Sequence, residues 1–301
     1  MLLEMAVADS YGIGFEFCDH TPDRPNDLKA YYQHPKYADM KPGHYTDDTQ
    51  RAIANAKVVL SGNFFDADRY IDSYVMTFRD DPRPGYSRNF QKFIEECIAQ
   101  RNDAVASVFF RQNVKRTAAS NGAIMGAAVL GYISNPADCA LAAAVQALTT
   151  HSQETIPYAQ AVALSANWFL YDKEDEHGFE GRSLDDYLDE YVTGDLPSCA
   201  GEDRRTTMDA KTTWRAIRRT LELPSLSAML RESVSLGGDT DSVAASTVAI
   251  ASADKNTTND IPNDLILRLE AGPYGRCYLL DLDQQLTNFR DREIRWMKET
   301  A

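Results

Sequence analysis

No two of the five cysteines, Cys18, Cys97, Cys139, Cys199 and Cys277, stand in a CxxC spacing, and their number is odd. That argues against a disulfide-stapled scaffold and fits reduced thiols in the cytoplasm. Basic residues are also short: 31 Lys and Arg against 45 Asp and Glu leave a net charge of −14. Nucleic acid is therefore not expected as the main partner, because such binding rests on neutralising phosphates with Lys and Arg. No stretch is apolar enough to span a bilayer. The opening Met-Leu-Leu-Glu-Met-Ala-Val-Ala-Asp has no basic region, long apolar run or cleavage signal. Runs of alternating β-branched residues, internal repeats and low-complexity tracts are missing too. The expectation is a soluble, cytoplasmic, helical protein.

What is present is concentrated in two short clusters. The first is Thr46-Asp47-Asp48-Thr49, and the second is Asp239-Thr240-Asp241-Ser242, entered through Gly237-Gly238. Each precedes a helical pattern, so each crowds side-chain oxygens around a helix N-terminus. Capping and the helix dipole account for Asp47 and Asp48 taken alone. Gly-Gly-Asp-Thr-Asp-Ser goes beyond what one cap requires. If the fold joins the clusters, four carboxylates share one small volume. Two carboxylates about 4 Å apart repel by roughly 4 kcal/mol at an effective dielectric near 20. Hard divalent cations such as Mg²⁺ or Mn²⁺ prefer oxygen ligands of this kind and would offset the repulsion.

Helical spacing predicts helices over 48–60, 66–79, 88–99, 137–149, 155–171, 207–221, 225–235, 240–252 and 263–270, and a helical pattern over 117–133. Asn135-Pro136 reads as a cap with proline at the first helical position. Residues 18–45, 79–88 and 171–206 read as irregular, the last as a solvated surface insertion. With 44% hydrophobic residues the chain can bury a large core. The fold class is all-α, a compact bundle of many helices. Length alone suggests about two domains. Both ends of the chain supply halves of one candidate site, which favours a single domain over 1–301.

Five fragments in order resemble the ADP-ribosylglycohydrolase family, which includes the dinitrogen-reductase-activating glycohydrolases. They are Ala8-Asp9-Ser10-Tyr11-Gly12 with Phe15-Glu16-Phe17, Tyr45-Thr46-Asp47-Asp48-Thr49, Ser120-Asn121-Gly122-Ala123 with Met125, Thr150-His151, and Gly237 to Ser242. The likeness runs from Ala6 to about Gly275. Ala8 replaces the family's usual glycine, Ser242 stands where threonine is common, and Gly126 follows Met125 where arginine is frequent.

The resemblance implies an orthogonal multi-helix bundle of the family's type. It also implies two bound Mg²⁺ or Mn²⁺ ions held by Thr46, Asp47, Asp48, Asp239, Asp241 and Ser242. Asn121, Gly122 and His151 would line the substrate cleft. Glu16, Asp48 and Asp241 would be the catalytic acids, with Glu16 near the metal site or its water. The implied reaction is metal-dependent cleavage of the glycosidic bond between ADP-ribose and an acceptor, such as a modified protein side chain, with ADP-ribose as product. Taken without the resemblance, Glu16 reads equally as the exposed face of a short extended segment. His151 reads as a helix-end cap and Asn121-Gly122 as a kink. A two-metal nucleotide phosphohydrolase, or a non-catalytic crystallin-like relative of the same fold, are the alternatives.

Overall fold

The computed structural model describes residues 1–18, 21–171, 183–198 and 205–300. In chain order the helices are α1 (Leu2–Gly12), α2 (Asp47–Ser61), α3 (Ala67–Asp80), α4 (Arg88–Ile98), α5 (Asp103–Asn113), α6 (Pro136–Leu148) and α7 (Ile156–Leu170). Then follow α8 (Leu184–Tyr191), α9 (Ala210–Thr220), α10 (Leu226–Ser235), α11 (Thr240–Ala251), α12 (Asn263–Arg268) and α13 (Arg276–Thr300). No strand occurs among the described residues, only isolated bridges such as Ser120 to Asp209. The fold is all-α, as expected.

The centre is made by α1 and α11, which pack against each other more extensively than any other pair. Every residue of α11 and all but Glu4 of α1 are buried. A helix that is buried all round carries no amphipathic stripe. Their contact is close because Ala244, Ala245 and Ala249 are small. It is closest at Gly12, where an added Cβ would lie 2.6 Å from Asp241 Cα and 2.8 Å from Thr240 O. Thr240 Oγ1 also donates to Gly12 O at 2.8 Å. The start of α11 is thus seated on the end of α1.

That contact makes a prediction. Alanine normally stabilises a helical glycine position, but here it would force the two backbones apart. Gly12→Ala should lower stability by about 1–3 kcal/mol and weaken any binding that depends on Asp241. Urea denaturation with and without Mn²⁺ measures both, and a stabilised variant would show that α1 and α11 do not meet at this point.

Around this centre, Asp283 of α13 caps α1 by accepting from Leu2 N and Leu3 N at 2.8 and 3.1 Å. The Ala-rich α6 packs on α7. A second apolar cluster joins α3, α4 and α5 through Ile71, Val75, Phe78, Ile94, Cys97, Ala106 and Phe110. It forms one side of the cleft described below.

Nine helices expected from spacing are present with ends shifted by a few residues. The pattern over 117–133 is not one helix. It breaks into short 3₁₀ turns, Asn121–Ala123 and Ala127–Tyr132, on either side of Gly126 at φ +70°. Gly126 lies against the backbone of α2, where an added Cβ would be 2.5 Å from Ala52 N, and Asn55 Nδ2 donates to its carbonyl at 3.1 Å. No side chain fits there, so the left-handed glycine ends the helical run. The stretch 171–206 contains α8, closed by a capping box between Ser183 and Asp186. Residues 172–182 and 199–204 of the expected surface insertion lie outside the described residues, while Thr206 at its end is buried rather than on the surface. No helix among the described residues is long and apolar enough to cross a membrane.

Candidate active site

The acid clusters meet at the N-termini of α2 and α11. Thr46 is the residue before α2, yet its side chain makes no cap to its own helix. Capping comes instead from Asp9, in the middle of α1. Its carboxylate accepts from Thr46 N at 3.0 Å, Thr46 Oγ1 at 2.8 Å, Thr49 N at 3.1 Å and Thr49 Oγ1 at 2.6 Å. With Thr46 and Thr49 committed to Asp9, the carboxylates of Asp47 and Asp48 are not needed as caps. Asp239, before α11, likewise makes no side-chain cap.

The loop into α11 takes its shape from Gly237 at φ +68° and Gly238 at φ +83°, left-handed conformations that favour glycine. Phe17 N donates to Gly238 O at 2.7 Å and brings Glu16 alongside. Thr206 Oγ1 lies 3.2 Å from Asp239 O and holds the loop from the other side.

Two sets of carboxylates converge. Asp9, Asp48 and Asp241 each offer an oxygen within 4.8 Å of the others, and so do Glu16, Asp239 and Asp241. Asp241 belongs to both. Asp48 Oδ1, Asp239 Oδ1, Asp241 Oδ1 and Glu16 Oε2 are buried with no hydrogen-bond partner. Buried polar atoms normally find partners, so four orphaned carboxylate oxygens on residues of these two adjoining sets fit a site for divalent cations. Asp47 stands beside the two sets and belongs to neither, packed against Gly85. Ser242 Oγ donates to Asp48 Oδ2 at 3.3 Å.

Electrostatics follow from this crowding. Burial, then the neighbouring carboxylates, pushes Asp47, Asp48 and Asp241 well above the usual carboxylate range. Glu16 is pushed up to about 7, by burial and then by Asp239. Asp9 is also raised by burial, against the pull of its four hydrogen bonds. His34 lies 3.6 Å from Glu16 Oε2, but burial lowers its pKa. Lys36 N donates to its Nδ1 at 3.1 Å, so its Nε2 carries the proton and donates to Glu16 O at 2.9 Å. Glu16 therefore has no charged base in contact with its carboxylate among the described residues, only the more distant pull of Lys36. The 3₁₀ turn Ile13–Phe15 before it replaces the extended segment considered from sequence.

Above the acids opens a cleft of about 640 Å³, within the range of small-molecule sites. Asn121, Gly122 and His151 all line it. Asn121 does more than line it, since its Nδ2 donates to Asp239 Oδ2 at 3.0 Å and so orients a carboxylate of the cluster. Gly122 makes room for the imidazole: an added Cβ would lie 2.9 Å from His151 Nε2. Burial, and then Arg51, lowers the His151 pKa to about 3, so the ring is neutral. The outer wall is aromatic, with Phe90, Phe93 and Phe109 of α4 and α5 and with Lys92 and Lys115 near them.

Three features were not assigned from sequence. Asp9 was quoted within a fragment but given no role. Its signal was an acid set after the apolar run from Met5 to Ala8, which calls for a partner. Arg51 and the aromatic wall carried no spacing that separates them from ordinary amphipathic positions.

Three comparisons bear on this arrangement. The ADP-ribosylglycohydrolase family model matches residues 1–294. Among solved structures, an "ADP-ribosylglycohydrolase-related protein complex" is similar with a TM-score of 0.64 and 20% identity, over 96% of each chain, which is a likeness of fold. No curated protein matches the chain. With the family matched over nearly its whole length, the chain belongs to the ADP-ribosylglycohydrolases, and so to a class of glycohydrolase-type enzymes.

Proposed function

We propose that this chain, acting as one domain over 1–301 in the cytoplasm, is a metal-dependent hydrolase. It cleaves the glycosidic bond between ADP-ribose and an acceptor, a modified protein side chain. The observation that carries this reading is the convergence of orphaned carboxylate oxygens from Glu16, Asp48, Asp239 and Asp241 at the floor of the cleft. Two Mg²⁺ or Mn²⁺ ions would be held by Asp48, Asp239 and Asp241, with Asp47, Thr46 and Ser242 completing the ligands. Such ions supply charge neutralisation and a grip on sugar hydroxyls.

The rest of the chemistry belongs to side chains. Glycoside cleavage passes through an oxocarbenium-like state. Glu16, beside the acids yet without a cation of its own, is placed to offset that positive charge and to take a proton on Oε2 from the attacking water. The water oxygen becomes the new anomeric hydroxyl as the bond to the acceptor breaks. The proton taken up by Glu16 is returned through solvent to the departing acceptor atom, which leaves the carboxylate free for the next cycle. Asn121 keeps Asp239 aimed, and Asp9 keeps the start of α2 in place.

Incubation of a mono-ADP-ribosylated peptide with the protein and Mn²⁺, followed by mass spectrometry, tests the reading. Free ADP-ribose and an unmodified peptide are expected, and a chelator should abolish both. AMP with a ribose phosphate left on the peptide would instead establish a phosphohydrolase. No turnover of any ADP-ribosyl substrate by metal-loaded protein would leave a binding or structural relative of the fold.

A further inference from the structure

Arg51 lies on α2 one turn past Asp47, is 3% exposed and lines the cleft. Its guanidinium stacks over Tyr74, with Cζ 4.4 Å from the ring centroid. Tyr74 is itself fixed, donating to Asn55 Oδ1 at 3.1 Å and accepting from Gln146 Nε2 at 3.0 Å. The guanidinium plane therefore has little freedom. Arg51 Nη2 donates to Thr150 Oγ1 at 3.3 Å, while Nε is buried without a partner. Among the described residues no carboxylate forms an ion pair with it within 4.0 Å. Asp47, one turn earlier, attracts it only from beyond contact distance. A buried charge with no carboxylate bonded to it and an unpartnered Nε is expensive, so the position calls for an anion.

The neighbours strengthen this. Arginine can only donate, so Thr150 Oγ1 accepts from Arg51 and turns its own proton to His151 Nδ1, 2.7 Å away. Neutral His151 then carries its proton on Nε2 and donates to Ser120 Oγ at 3.1 Å. That leaves the Ser120 hydroxyl hydrogen free to point at the cleft, which Ser120 also lines. A fixed cation and an outward hydroxyl donor thus line the same cleft as the acids and the aromatic residues.

We propose that Arg51 is the residue that reads the diphosphate of the ligand and selects ADP-ribosyl groups over phosphate-free ribosyl groups. The assignment rests on the ADP-ribose reading given above. The planar fork of a guanidinium suits phosphate oxygens better than the point charge of an ammonium.

Calorimetry on the full chain with Mn²⁺, using ADP-ribose, adenosine and ribose as probes, tests it. Arg51→Gln should weaken ADP-ribose binding about ten- to a hundredfold, the scale of a lost charged hydrogen bond. Binding of adenosine, ribose and Mn²⁺ should stay unchanged. Arg51→Lys should recover part of the loss. For the ADP-ribosylated peptide, KM should rise while kcat holds within about threefold. Ligand-free Arg51→Gln should melt no lower than wild type, since it loses an unpaired buried charge. A purely structural arginine would give the opposite. Equal ADP-ribose binding by wild type and Arg51→Gln would overturn this assignment alone, as would a parallel loss for ribose. Wild type that binds no ADP-ribose with Mn²⁺ present would remove the proposed function and this assignment with it.

Discussion

Stripped of divalent cations, the protein should be more stable near pH 5.5 than near pH 8, and saturating Mn²⁺ should reverse the order. The sign follows from the acids. Asp47, Asp48, Asp241 and Glu16 all have folded pKa values raised above their ordinary ones. Between the two values the folded state binds more protons than the unfolded chain, so stability falls as pH rises. The contribution is complete below the unfolded value and is lost as pH climbs through the folded one. Glu16 alone, moved from 4.5 to about 7, contributes about 2 kcal/mol of the fall between pH 5.5 and pH 8. His34 and His151, lowered by burial, pull the other way only as pH falls below about 6.5.

Cations compete with protons for the same oxygens, so metal affinity rises with pH. A cation at about 100 times its dissociation constant adds roughly 2.7 kcal/mol. Denaturation of chelator-treated and Mn²⁺-loaded protein at both pH values gives four stabilities. A chelated protein that gains stability toward pH 8 would mean that the cluster is already balanced without metal.

The second expected result separates two acids that sit side by side. Asp241→Asn and Asp9→Asn should both cut turnover, yet shift apo stability in opposite directions. Asp241 belongs to both carboxylate sets and has an orphaned oxygen. Neutralising it relieves repulsion, so the apo protein should gain stability near pH 8 while turnover falls by more than about a hundredfold. Asp9 instead satisfies four donors at the start of α2. An amide there turns a donor toward donors, and each charged hydrogen bond lost costs about 1.5–3 kcal/mol. Turnover should fall about 10–100-fold, as for groups that orient ligands. Apo melting temperatures, Mn²⁺ affinity and initial rates measure the pair. Destabilisation by Asp241→Asn together with a neutral Asp9→Asn would exchange the two roles.

Much of this site was legible before folding. Asp47, Asp48, Asp239 and Asp241 stood out because acid and hydroxyl residues cluster at helix starts beyond the needs of capping. The amphipathic helices were legible too, since α3 and α4 bury one face and show it in their spacing. Helix α1 was not, because it is buried on all sides and shows no periodic stripe. No glycine or capping residue announces its start, as Gly237 to Asp239 do for the equally buried α11. The run 117–133 misled for a local reason: its composition suits a helix, and only contact with the backbone of α2 requires Gly126 to turn left-handed.

The amino-acid order by itself determined the helical class, the acidic chemistry of the candidate site and the family, because these depend on residue type and near-neighbour spacing. Which acid caps and which stays free was decided only in three dimensions. Asp9 lies 37 residues from Thr46 in the chain and takes over its cap. That contact exists only because α1 passes the N-terminus of α2, and it releases Asp48 to meet Asp241 and to accept from Ser242, 194 residues further along the chain. Local preference is set by a residue and its neighbours along the chain. The partner that satisfies or orphans a buried oxygen is set by packing, which no single segment contains.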